Sequence, residues 1–129
     1  MEKYIFRGVR VDNNEMVYGY LLPDNYILTD YKVNIENEYC LPNDSLFSVI
    51  PETIGNFTGY RDKNGKKIYK GDIIKIANGL KYEVSQNSTG EWYIFGKHYM
   101  SLERIFELDT RKSILIVGNV YQNKELLNN

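Results

Sequence analysis

The sequence has 129 residues, of which 43% are hydrophobic and 26% are charged. This length and composition are typical of one globular domain and exclude an intrinsically disordered chain. The 16 basic and 17 acidic side chains give a formal charge of −1, so the overall charge provides no attraction to nucleic acid or to an anionic membrane. We therefore predict a single domain over residues 1–129.

The single cysteine, Cys40, cannot form an internal disulfide, which argues against a secreted, disulfide-stapled fold. The N-terminal residues carry charges where a signal peptide needs an apolar core, and no apolar run has the length of a membrane span. We expect a soluble protein of a reducing compartment with no membrane association. Twelve tyrosines stand out, because a tyrosine ring with a polar tip suits half-buried sheet faces and interfaces.

The first half of the chain predicts short strands separated by turns. Two runs of β-branched and aromatic residues flank DNNE, which predicts a hairpin. This hairpin spans residues 4–22, with its turn at 12–15, and a short strand is predicted at 26–29. The Asn-rich segment at 30–45 predicts a loop with fragments of strand. The run FSVI at 47–50 predicts another strand, which Pro51 ends.

Two Asn-Gly pairs, at 64–65 and 78–79, are strong hairpin signals, since both residues tolerate the positive φ of a tight primed turn. At the second pair, a two-residue turn would place apolar and charged side chains together on the same face of the hairpin. A three-residue loop over 77–79, with Gly79 in the left-handed region, aligns the apolar residues instead, so we predict that loop. It sets Lys75 opposite Lys81. The predicted apolar face consists of Ile74, Ile76, Leu80, Tyr82 and Val84.

The C-terminal part predicts an aromatic strand at WYIFG, then a helix within residues 98–108 that Ser101 could cap. The continuous apolar run at 114–120 predicts a strand buried on both faces, and residues 121–129 predict a short helical turn or a frayed tail. Together these elements predict an all-β fold, mainly antiparallel and barrel-like, with one or two short helices.

No residue set in the sequence identifies a reaction. His98 and Cys40 are too few to form a zinc site, and no nucleophile motif accompanies His98. Four acids could in principle serve a metal-dependent nuclease, but acids at loop ends are normal turn residues. We therefore expect a non-enzymatic protein with no cofactor, metal or catalytic residue. The four acids are Asp62, Asp72, Glu83 and Glu91.

A basic stretch with two tyrosines is the best candidate for a binding site. Lysines there could contact phosphates while the tyrosines stack on bases. The alternative is that lysines on an exposed hairpin protect an edge strand from pairing. The overall neutrality of the chain and the alternation of faces favour this second interpretation. The candidate binding residues are Tyr60, Arg61, Lys63, Lys66, Lys67, Tyr69 and Lys70.

The string FTGYRDKNGKKIYKGDIIKI resembles the core of the YopX family, "TGL-DKNGKEIYEGDIV". The segments YIFRG, PETIGNFTG and IVGNVYQNKELL are similar to the family's "KFRAW", "PETVGQYTG" and "VIGNIYENPELL", so the resemblance spans the chain. Tyr60 replaces the usual leucine, and Gly8 and Val9 depart from the family pattern. The resemblance implies an all-β protein that is encoded by a phage or prophage and works in the bacterial cytoplasm. It has no assigned activity and hence no functional residues to transfer.

We interpret the chain as a small β interaction module that acts on an unknown host or phage protein, with self-association compatible with this class. A nucleic-acid-associated protein that uses the hairpin at 60–70 is the alternative and is not favoured. An enzyme built from scattered carboxylates ranks third.

Overall fold

A computed structural model describes residues 5–30, 32–33, 35–36, 38–40, 42, 44–108 and 113–128. The chain divides into two compact units, an N-terminal unit of residues 1–56 and a C-terminal unit of residues 57–129. The single domain over 1–129 remains a prediction, and each unit is described by itself.

The N-terminal unit is built on an antiparallel sheet with the strand order β6-β3-β2-β1-β7. Its first hairpin is the predicted one, with Val9 opposite Met16 and the Arg10 N–H donating to the Glu15 carbonyl across the DNNE turn at 2.8 Å. The strands are β1 (Phe6–Val9), β2 (Met16–Leu22), β3 (Tyr26–Leu28), β4 (Lys32–Val33), β5 (Tyr39–Cys40), β6 (Leu46–Ser48) and β7 (Gly55–Arg61), the last of which continues into the C-terminal unit.

The predicted loop at 30–45 contains the strand fragments that the sequence indicated, because β4 pairs with β5. Parts of this loop, including residues 31, 34, 37, 41 and 43, lie outside the described residues. For Cys40, the backbone is among the described parts of the structure, but the side chain is not. The strand predicted at 47–50 corresponds to β6, which already ends at Ser48, and Pro51 begins a short 3-10 helix, Pro51–Thr53.

The C-terminal unit contains an antiparallel five-stranded sheet with the order β12-β11-β10-β9-β13. The helix α1 (Leu102–Leu108) packs on one face, and a 3-10 helix (Lys124–Leu127) contacts β10. The strands that follow β7 are β8 (Lys67–Tyr69), β9 (Asp72–Lys75), β10 (Lys81–Gln86), β11 (Trp92–Phe95), β12 (Tyr99–Ser101) and β13 (Leu115–Asn119).

The hairpin of β9 and β10 has the predicted register. Lys75 lies opposite Lys81 and Ile74 opposite Tyr82, and Gly79 has φ of 81°. The predicted apolar face packs against α1 in the main core, where Ile74 and Tyr82 are fully buried. The alignment of apolar faces therefore set the loop length.

The all-β, mainly antiparallel class is confirmed, but the described sheets are open and not closed into a barrel. Closure would require the end strands to pair with each other. At one end of the five-stranded sheet, β12 leads directly into α1. At the other end, β13 carries a bulge between Ile116 and Gly118.

Two details of the C-terminal part differ from the prediction. Residues 115–119 are all half-buried rather than buried on both faces, because β13 is an edge strand of its sheet. The helix begins at Leu102, since residues 99–101 form β12. The Ser101 hydroxyl accepts a hydrogen bond from the Arg104 N–H at 3.3 Å, so Ser101 caps the helix as predicted.

Candidate functional site

The hairpin of β7 and β8, which carries the basic stretch, turns through a three-residue loop. The Asp62 N–H donates to the Lys66 carbonyl at 2.9 Å, and the Gly65 N–H donates to the Asp62 carbonyl at 2.9 Å. Gly65 has φ of 80°, whereas Asn64 keeps a negative φ. The prediction of a tight primed turn at Asn64-Gly65 is therefore wrong. A loop with glycine in its last position forms instead, as it does at Gly79.

Asp62 organises this loop through its carboxylate. Oδ1 accepts hydrogen bonds from the N–H groups of Asn64 at 2.9 Å and Lys66 at 3.0 Å. Oδ2 accepts one from the Ile116 N–H of β13 at 3.2 Å. The residue is only 3% exposed, and three backbone donors compensate the cost of burying its charge. The geometry gives Asp62 a structural role.

A second hairpin, between β10 and β11, repeats the loop with an amide in place of the carboxylate. The Asn87 N–H donates to the Glu91 carbonyl at 2.9 Å, and Gly90 has φ of 90°. Asn87 Oδ1 accepts hydrogen bonds from the N–H groups of Thr89 at 3.0 Å and Glu91 at 2.9 Å. One side-chain oxygen suffices at this turn, whereas the Asp62 turn uses two.

Asp72 has a similar structural role at the next corner. Its Oδ2 accepts a hydrogen bond from the Tyr69 N–H at 2.7 Å, and the side chain is 2% exposed. Gly71, with φ of 91°, makes this corner possible, since few side chains tolerate that backbone conformation. A Cβ atom at Gly71 would lie 2.7 Å from the ring of Tyr121, so the ring packs directly on the backbone.

The predicted basic residues differ in their surroundings. The Arg61 guanidinium and the Lys67 ammonium lie 5.9 and 5.6 Å from the centre of the Phe57 ring, within cation–π distance. Arg61 Nη1 also donates to the Gly65 carbonyl at 3.0 Å. Lys63 and Lys66 are exposed at the loop. Lys70 is half-buried and close enough to Glu83 to lower the pKa of its carboxyl.

The two predicted tyrosines are engaged within the fold. Tyr69 is 3% exposed, and its ring lies 5.9 Å from that of Phe57, which leaves no open face for a base. Tyr60 stacks on Phe106 of α1, with ring centres 4.4 Å apart. Binding through the basic stretch stays a prediction, and its remaining support is the pair of exposed lysines.

The four acids considered for a metal site have different environments in the structure. Asp62 and Asp72 bind backbone N–H groups, Glu83 is half-buried on the sheet, and Glu91 is exposed. Among the described residues, no group of three or more His, Cys, Asp or Glu side chains could hold a metal ion.

Glu83 should make stability depend on pH. Burial raises the pKa of its carboxyl, against the lowering effect of Lys124 and Lys70. A raised folded-state pKa means that the stability from Glu83 is fully present below the unfolded value of about 4.3 and is lost as the pH rises through the folded value. Glu83→Gln should therefore raise the Tm at pH 7, by up to about 2 °C because solvent screens a half-exposed group. Circular dichroism melts between pH 4 and 7.5 measure this, and a gain that is equal at pH 4 contradicts it.

Three aromatic side chains form a patch that sequence analysis did not identify. Tyr93 and Phe95 of β11 and Tyr99 of β12 share the sheet face opposite α1, since Phe95 lies directly across from Tyr99. The Tyr93 and Tyr99 rings stack with centres 4.7 Å apart, and Tyr93 lies 5.8 Å from Phe95. Tyr99 is 65% exposed and Phe95 38% exposed. We call these three residues the aromatic patch.

A signal for the patch was present in the strand prediction. The run WYIFG predicts one aromatic strand, in which alternate side chains point to opposite faces. Ile94 is fully buried, so the residues on either side of it must point to the opposite face. An aromatic residue at both of those positions indicates an apolar outer surface.

The N-terminal unit has a cavity of about 380 Å³ beside the first hairpin. Arg10 lies at its edge, paired with Asp12 at 2.6 Å and placed 4.3 Å from the centre of the Phe47 ring. The Asp12 hydrogen bond raises the pKa of the guanidinium and keeps it charged. Arg10 and Asp12 satisfy each other, and Asp44 also lines the cavity.

Comparisons with known proteins agree with this architecture. The chain is similar to the crystal structure of protein EF1440 from Enterococcus faecalis, with a TM-score of 0.70 and 22% identity over 95% of this chain and 96% of that one. A likeness at this identity concerns the fold alone. No curated protein matches the sequence. No described helix has the length and apolar character needed to cross a membrane. The profile of the YopX protein family matches residues 5–128, nearly the whole chain, and we conclude that this chain belongs to the YopX family.

Proposed function

We propose that this YopX-family chain is a non-enzymatic interaction module that binds a host or phage protein in the bacterial cytoplasm through its aromatic patch. The observation that carries the proposal is the exposure of Phe95 and Tyr99, at 38% and 65%, side by side on one sheet face. Contiguous exposed apolar surface is uncommon on a protein without partners and marks interaction sites.

The chemistry of the patch suits a protein partner. Tyrosine and phenylalanine are enriched at the centres of interfaces, because their rings bury a large area while losing few rotamers. The stacked Tyr93 and Tyr99 rings are already ordered by contact with each other, which reduces the entropy cost of binding. The patch includes β12, an end strand of its sheet, whose backbone could extend the contact.

The roles of the buried acids support a non-enzymatic protein. Asp62 and Asp72 are bound to backbone N–H groups that the turns require. A general acid or base must reach its substrate, and these two side chains are only 3% and 2% exposed. The nucleic-acid alternative rests on the basic stretch, in which Lys63 and Lys66 are exposed and Arg61, Lys67 and Lys70 are half-buried.

Truncation of the patch should abolish capture of the partner. We expect the double variant Phe95→Ser/Tyr99→Ser to lower recovery of a host protein by at least about tenfold, since a central interface aromatic contributes on the order of 2 kcal/mol. Immobilised protein incubated with host lysate, followed by mass spectrometry, measures this. Light scattering on the same two proteins tests whether a second copy of the chain occupies the patch.

The matched control is Leu108→Ser, which removes a large side chain that is 67% exposed on α1 and outside the patch. This variant should capture the same protein as the wild type. Nuclease treatment of the lysate should leave capture unchanged, because the proposed contact is with protein. Equal capture by the double variant and the wild type contradicts the proposal, as does capture that nuclease abolishes.

A further inference from the structure

A second feature of the C-terminal unit is a cavity of about 170 Å³. It lies where Tyr60 of β7, the loop after β10 and the start of α1 meet. Two aromatic rings, Tyr60 and Trp92, contribute to its walls, and two carboxylates, Glu91 and Glu103, line it as well. The complete lining is Tyr60, Gly90, Glu91, Trp92, Ser101 and Glu103. We call this the acidic cavity.

The walls of the acidic cavity are held in place by the fold. Tyr60 stacks on Phe106 at 4.4 Å, and both rings pack against the main core. Trp92 also packs against that core. Glu91 ends the loop that Asn87 fixes, and Glu103 lies in the first turn of the helix that Ser101 caps. A ligand would therefore meet a largely preformed site.

The charge of the acidic cavity is negative and is not neutralised locally. Among the described residues of the C-terminal unit, the salt bridge at α1 joins Arg104 to Glu107 at 3.7 Å, and neither Glu91 nor Glu103 takes part in one. The effect reaches the aromatic wall. Burial raises the pKa of the Tyr60 hydroxyl, and the Glu103 and Glu107 carboxylates raise it further. No phosphate-bearing ligand would be favoured in such surroundings.

We propose that the acidic cavity binds the guanidinium group of an arginine side chain from a protein partner. Two carboxylates supply the complementary charge and can accept the N–H donors of the guanidinium fork. The Tyr60 and Trp92 rings supply faces for its planar surface, through cation–π and stacking contacts. The ammonium of a lysine matches the charge but cannot stack, so arginine should bind more tightly.

The inference rests on the proposed function in one respect, namely that the partner is a protein. Trp92 packs on the core side of the sheet, whereas the aromatic patch is on the opposite face, so the arginine is a contact separate from the patch. The test of the inference does not depend on the proposed function. Trp92 is the single tryptophan of the chain, so in the folded protein all tryptophan fluorescence comes from a residue that lines this cavity. Titration with the peptide acetyl-Gly-Arg-Gly-amide should give a saturable change in emission with a Kd in the millimolar range, as expected for one isolated side chain. The citrulline peptide, which has the same shape without the charge, should give none.

The variants Glu91→Gln and Glu103→Gln should each weaken arginine binding at least about fivefold, because each removes one charge from the cavity lining. Glu125→Gln makes the same change of charge on an exposed residue outside the lining and should leave the Kd unchanged. The lysine peptide should bind several-fold more weakly than the arginine peptide.

Three outcomes overturn the inference: equal responses to the arginine and citrulline peptides, no response at up to about 10 mM, or unchanged binding by both cavity variants. The double variant Phe95→Ser/Tyr99→Ser separates the two proposals. It should lose capture of the partner and still bind the arginine peptide with the wild-type Kd.

Discussion

The Gly71→Ala variant is expected to lower the free energy of unfolding by about 2 to 4 kcal/mol. Gly71 has φ of 91°, where a Cβ atom is strained, and that atom would lie 2.7 Å from the ring of Tyr121. The ring cannot retreat freely, because Val120 beside it donates a hydrogen bond to the Gly71 carbonyl at 2.9 Å. Urea denaturation followed by Trp92 fluorescence measures the loss.

Gly79→Ala is the matched control. Gly79 has φ of 81°, but nothing lies within 4 Å of a Cβ atom there, so only the backbone strain of about 1 kcal/mol should appear. Adding Tyr121→Ala to Gly71→Ala should recover the part of the loss that comes from the ring contact. Equal losses at the two glycines, or no coupling to Tyr121, would show that the ring does not constrain this corner.

The second large effect is expected at Asp62. Asp62→Asn should cost about 2 to 3 kcal/mol, although the two side chains have the same shape. Oδ1 accepts from Asn64 and Lys66, and Oδ2 accepts from Ile116. An amide has one acceptor oxygen, so in either orientation its NH₂ group would face a backbone N–H. The same denaturation experiment measures the cost.

Asn87→Asp is the reciprocal control, and we expect it to change stability by less than about 1 kcal/mol. The Asn87 turn uses one side-chain oxygen for its backbone donors, which a carboxylate supplies equally well. If Asp62→Asn proves as mild as Asn87→Asp, the bond from Ile116 to Oδ2 contributes little and the assigned role of Asp62 is wrong.

These turns show which parts of the fold the sequence could predict. The register of Ile74 against Tyr82 followed from the faces alone, because a slip by one residue would expose the apolar set. The same reasoning did not extend to Asn64-Gly65. There, Asp62 favours the three-residue loop through its own hydrogen bonds, and the third of these comes from a strand 54 residues away.

The position of β13 at the edge of its sheet could not be predicted from its local sequence pattern either. The apolar run at 114–120 has the composition of a central strand, yet β13 ends its sheet and is half-buried. Burial depends on the number of neighbouring strands, which the order of pairing decides and local composition does not.

The candidate sites were predicted less well than the fold. The basic stretch was conspicuous in the sequence, but its tyrosines serve the fold and Arg61 and Lys67 lie over Phe57. The aromatic patch and the acidic cavity combine residues from separate elements, and their spacing in sequence carries no signal. Tyr60 alone belongs both to the predicted set and to a structural site.

The tie between Asp62 and Ile116 also bears on when this protein can assemble. Ile116 N–H donates to a carboxylate 54 positions earlier, and the Lys63 N–H donates to the Ile114 carbonyl at 2.8 Å. The loop that these bonds close includes most of the C-terminal unit, and its closure entropy must be overcome in one step. A nascent chain on the ribosome therefore cannot form these two bonds until β13 has been synthesised, whereas the bonds of Asp62 to Asn64 and Lys66 need only the hairpin itself.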